Sequence, residues 1–79
     1  MPARKEPDKT TYSGRFAIRL RRLREDAGLT PEQAAEQIGI SATAIYHWES
    51  GLKIPSVPKF PIISMVYNVK KARNLLPNE

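Results

Sequence analysis

Apolar residues return along this chain at helical spacing and are interrupted by glycines at Gly14, Gly28, Gly39 and Gly51. Between Gly14 and Gly28, the residues Phe16, Leu20, Leu23 and Ala27 recur at spacings of four, three and four, which puts them on one narrow stripe of a helix. Arg15, Arg19, Arg21 and Arg22 fall off that stripe. Arg24 lies at its edge, where a long side chain can reach a neighbouring element. The next helix opens with Thr30-Pro31-Glu32-Gln33: Thr30 caps, Pro31 suits the first helical position, Glu32 complements the dipole and Gln33 completes a capping box. Gly39 supplies the positive φ that ends this helix near Ile38. A third helix starts after Ser41 as cap and runs to Ser50, with Ile45 and Trp48 facing inward and Gly51 as the stop.

Downstream the pattern is less regular. Lys53-Ile54-Pro55 reads as an extended link, and Ser56 as the cap of a fourth helix through Phe60, Ile63 and Tyr67. Pro61 would sit beyond the first turn of that helix and remove a ladder donor, so with Pro58 it predicts a late or distorted start. Asn68 can end the helix in a left-handed conformation, and Lys70 to Leu76 reads as a short fifth helix closed by Pro77. Residues 1–13 carry prolines and basic side chains without apolar periodicity. They read as a flexible basic arm ahead of a domain at 14–77.

Length then bounds the picture: 79 residues bury one modest core and leave no room for a two-domain cleft. Thirteen Lys and Arg against eight Asp and Glu give a formal charge of +5, which favours a polyanionic partner such as nucleic acid. No cysteine is present, which removes disulfides, thiolate metal sites and cysteine nucleophiles. The start of the chain has no signal-peptide pattern, and its longest apolar run, Pro61 to Tyr67, is far too short for a bilayer span. A soluble, cytoplasmic protein is the expectation. Catalysis is not expected: His47 and Ser50 are three apart on one helix, with no third group to orient them. A lone histidine makes no metal site, and no cofactor motif stands out.

The informative unit is the pair of short helices around Gly39. Ala34, Ala35, Ile38, Ile40, Ile45 and Trp48 form one inward set, and Ala35 and Gly39 are small where two steeply crossing helices must approach. The string LTPEQAAEQIGISATAIYHWESG, extended upstream by LRRLREDAG and downstream by KIPS, resembles the helix-turn-helix of the phage Cro and repressor proteins, the XRE-type family. The resemblance covers Leu20 to Ser56 and implies an all-α, five-helix, lambda-repressor-like domain with its helix-turn-helix at about residues 30–50. It further implies a small transcriptional regulator bound to double-stranded DNA and located with the nucleoid.

The resemblance also assigns residues. It sets Arg24 opposite Glu49 as an ion pair tying the first helix to the third, a role suited to the planar guanidinium. Ala42, Thr43, Tyr46 and His47 share the face opposite Ile45 and Trp48, and so become candidates for base readout in the major groove. Gln33, Ser41, Lys53, Lys59 and Arg19 are the candidates for phosphate contact. The charge is unevenly spread: residues 28–51 hold no Lys or Arg and three acids, while both flanks are basic. Backbone attraction is therefore expected from the flanks and base inspection from the uncharged helix face. Homodimerisation is expected through the fourth and fifth helices, at Val66, Leu75 and Leu76. The competing reading keeps the helix-turn-helix as a scaffold for a protein partner, as an antitoxin or adaptor would. A basic first helix on a membrane or acidic partner is a third reading, although its apolar stripe is more simply explained by the core.

Overall fold

The first helix, α1 (Tyr12–Asp26), begins where Thr11 leaves extended backbone and its hydroxyl accepts the Gly14 N–H at 3.0 Å. This is a computed structural model, and it describes residues 7–77. Residues 1–6 of the expected arm lie outside the described residues. Pro7 is buried, and Asp8 nucleates a turn in which its carboxylate accepts from the Thr10 N–H at 2.8 Å and the Thr10 hydroxyl at 2.6 Å. The turn lies so close on α1 that a Cβ on Gly14 would fall 1.7 Å from the Asp8 carbonyl oxygen. Gly14 is thus inside the helix, required by close approach and not by a turn.

Gly14, Phe16, Ala17, Leu20 and Arg24 form the buried face of α1. The expected stripe is rotated: Leu23 is only partly buried, while Ala17 and Arg24 turn inward because α3 covers that side. In α2 (Pro31–Ile38) every start signal is realised, including both arms of the capping box, and Gly39 stops it at φ 90°. In α3 (Ala42–Ser50) the Ser41 hydroxyl accepts the Ala44 N–H at 3.2 Å, and Gly51 closes the helix at φ 81°. Helices this short are unstable alone, so caps and burial of Ala34, Ala35, Ile38, Ile45 and Trp48 must supply what length does not.

A 3-10 turn, Val57–Lys59, precedes α4 (Phe60–Val66), and Ser56 makes no side-chain cap bond. Pro61 falls in the first turn of this late-starting helix, where a missing N–H leaves no ladder bond unmade. Asn68 adopts φ 60° beyond its end. The expected fifth helix is instead a 3-10 turn, Ala72–Leu75. One turn suffices to place Leu75 in the core at 0% exposure. Four α-helices and no strand are present among the described residues. Of the residues expected at a dimer surface, Leu75 is interior, and Val66 and Leu76 are half-buried and pack partly against the core.

Candidate nucleic-acid interface

The faces of α3 divide sharply. Ile45, Trp48 and Glu49 are buried, Thr43 and Tyr46 are exposed, and His47 is half-buried beside them. Ala42 sits at the boundary, half-buried and partly packed on the core. The backbone beneath His47 is fastened: its carbonyl accepts from the Leu52 N–H at 3.0 Å, the Lys53 N–H at 3.2 Å and the Ser50 hydroxyl at 3.2 Å. The helix therefore presents its outer face from a backbone held at both ends.

On the inner edge, Arg24 and Glu49 are brought together. Nε donates to Oε2 at 2.6 Å and Nη2 to Oε1 at 3.0 Å, while Nη1 donates to the Leu29 carbonyl at 2.7 Å. Glu49 is 1% exposed and Arg24 7%, so these bonds replace water for both charges. Hydrogen bonding to Glu49 raises the Arg24 pKa further above its ordinary value, against the opposing effect of burial. Tyr67 lies in the same interior, and burial, reinforced by the Glu49 charge, pushes its phenol strongly upward. This cluster joins α1, α3 and the link between α1 and α2 around the Arg24 guanidinium.

The outer edge carries a second carboxylate contact, which spacing along the chain did not reveal. The Tyr46 hydroxyl donates to Glu32 Oε2 at 2.8 Å, across 14 residues and between two exposed side chains. This bond, followed by one from the Glu32 backbone, lowers the Glu32 pKa. Glu32 was legible only as a dipole partner at the start of α2. The sequence carries no periodic signal linking it to Tyr46, because the pairing depends on how α2 and α3 cross.

The candidate phosphate residues are placed less uniformly. The Gln33 carbonyl accepts the Thr30 N–H at 2.9 Å, which leaves its amide NH2 end as the donor. Ser41 uses its oxygen as the α3 cap. Lys53 and Lys59 are exposed after α3. Arg19 is directed elsewhere: Nε and Nη2 donate to the Asn74 carbonyl at 3.0 and 2.8 Å, fastening the C-terminal turn to α1. Of the three acids between residues 28 and 51, Glu49 is neutralised by Arg24, and Glu32 and Glu36 remain at the surface.

Two short capped helices crossing at a glycine turn, the second with a polar outward face, define a helix-turn-helix protein. The chain belongs to the helix-turn-helix domain family, whose model matches residues 15–75. Over 54 residues, 68% of the chain, it is 43% identical to the HTH-type transcriptional activator BcrR of Enterococcus faecalis, of which it covers 26%. Over 54 residues it is 41% identical to the uncharacterized HTH-type transcriptional regulator YobD of Bacillus subtilis (strain 168), of which it covers 48%. The chain thus spans about a quarter and about half of these relatives. A crystal structure of the hypothetical transcription factor NHTF from Neisseria shares the fold, with a TM-score of 0.76, 24% identity, and coverage of 98% of this chain and 87% of that one. Among the described residues no helix is long and apolar enough to cross a membrane.

Proposed function

We propose that this domain binds double-stranded DNA as part of a transcriptional regulator, with α3 entering the major groove. The observation that carries the reading is the outer face of α3. Thr43, Tyr46 and His47 stand together, polar and without formal charge, on a helix whose backbone is capped at both ends. Threonine, tyrosine and histidine can exchange hydrogen bonds with base edges, and the methyls of Ala42 and Thr43 suit a thymine methyl. Lys53 and Lys59, with the Ser41 hydroxyl and the Gln33 amide, are suited to the backbone on either side.

A titration with mixed-sequence duplex at two salt concentrations, followed by NMR, tests this. DNA binding predicts shifts concentrated in residues 41–50 and an affinity that falls steeply as salt rises, because bound cations are released from the duplex. Unchanged spectra in that segment at low salt would remove the reading. A protein-interaction module would then stand in its place, supported by the exposed apolar side chains of Leu52, Ile54, Val57 and Met65.

A further inference from the structure

We infer that Glu32 positions Tyr46 so that the phenol reads an exocyclic amino group, selecting adenine or cytosine on the contacted strand. The inference deepens the DNA-binding reading and rests on it. Its basis is the 2.8 Å bond in which the Tyr46 hydroxyl donates to Glu32 Oε2. A free phenol offers both a donor and an acceptor, and so accepts any base edge. Once the proton is committed to the carboxylate, the phenol oxygen serves as an acceptor, next to carboxylate oxygens that also only accept.

In the major groove the donors are the adenine N6 and cytosine N4 amino groups, while guanine O6 and thymine O4 are acceptors. An all-acceptor pair is therefore complementary to the amino bases and repels the keto bases. The charge of Glu32 strengthens this polarity and equally disfavours a phosphate at the same place, so the pair suits a base edge rather than the DNA backbone. Its geometry fits the task. Tyr46 is 41% exposed on the outward face of α3, and Glu32 is exposed on α2, so the side chain is braced by a second helix without being buried. The lowered carboxyl of Glu32 means that the brace remains ionised throughout the neutral range.

Selection from a randomised duplex library, with the original protein, Tyr46→Phe and Glu32→Gln, tests the inference. It is followed by anisotropy titrations on duplexes that differ at one base pair. The original protein is expected to show one position where A or C on one strand is favoured about tenfold over G or T. Both variants should reduce that preference to about twofold or less while leaving the other positions of the motif intact. Glu32→Gln can still accept the phenol proton, but its NH2 group adds a donor that tolerates keto bases. It should also bind random duplex at least as tightly, since a negative charge is gone. A motif unmoved in both variants, or a G or T preference at the position that Tyr46→Phe loses, overturns the inference and leaves DNA binding standing. Absence of salt-dependent binding by the original protein on every duplex overturns DNA binding itself, and this inference with it.

Discussion

The inner and outer edges of α3 use the same chemistry in different surroundings. Each edge ties the helix to another through a carboxylate, Glu49 to Arg24 on α1 and Tyr46 to Glu32 on α2. The inner contact is buried, bidentate and joined by the Leu29 carbonyl, whereas the outer one lies between two exposed side chains. In a dry site, removal of either partner takes away the bidentate bonds that compensate the other's burial. At the surface, water replaces whatever is removed. The inner edge should therefore decide whether the domain folds and the outer edge what it recognises.

The largest expected effect breaks the inner edge. Arg24→Ala and Glu49→Ala should each destabilise the domain by about 3–5 kcal/mol, read as a lowered urea midpoint. The double variant should cost clearly less than the sum, with a coupling above about 1 kcal/mol, because the second removal relieves the charge stranded by the first. Strict additivity would show that the two side chains act independently. An apolar pair, Arg24→Met with Glu49→Leu, should recover most of the loss, since packing can replace a buried ion pair.

The next effect concerns the brace on α1. Gly14→Ala should cost about 1–3 kcal/mol, as an overpacked site does, because the added methyl meets backbone and not a yielding side chain. Thermal denaturation reads this directly. Gly14→Ala with no loss of stability would mean that the Asp8 turn lifts away freely from α1.

Much of the fold was legible because its signals are local. Thr30 with Gln33, Ser41, Gly39, Gly51 and Asn68 each act within a few residues of where they stand, so spacing alone locates the helix ends. Arg24 and Glu49 could be paired only through a family resemblance, being 25 residues apart. Other contacts had no such guide. Arg19 reaches Asn74 across 55 residues, and Tyr46 reaches Glu32 between two helices whose crossing the sequence does not state. Leu75 is a further case, since an apolar residue at that position is equally consistent with a dimer surface and with a plug for the core. It lies in the core, and burial is a property of the assembled domain.

A smaller effect sharpens the interior around Glu49. Tyr67 is held protonated by burial and by the nearby carboxylate, so its folded-state pKa lies above the ordinary tyrosine value of 10.0. Above that value the unfolded chain releases a proton that the folded chain retains, which stabilises the unfolded state. Stability should then fall by up to about 1.4 kcal/mol per pH unit from this group. Below the ordinary value the group contributes no pH dependence. Tyr67→Phe should make the alkaline decline shallower in urea denaturation at pH 9 to 11, and an unchanged slope would assign the decline to other groups.

The smallest stability effect lies on the outer edge, and its smallness is what gives the comparison its force. Glu32 has a lowered pKa because the Tyr46 hydroxyl favours its ionised form. Its contribution is therefore present above the ordinary carboxylate range and lost as pH falls through the folded-state value. Both side chains are exposed, so water supplies the replacement bond. Tyr46→Phe and Glu32→Gln should therefore leave stability close to that of the original protein at neutral pH. A thermal midpoint within one or two degrees of the original, with base preference altered at one position, is the combined expected result. A loss comparable to that at Arg24 would instead make the Glu32 bond a structural tie between α2 and α3. The separation of roles between the two edges would then fail at its exposed end.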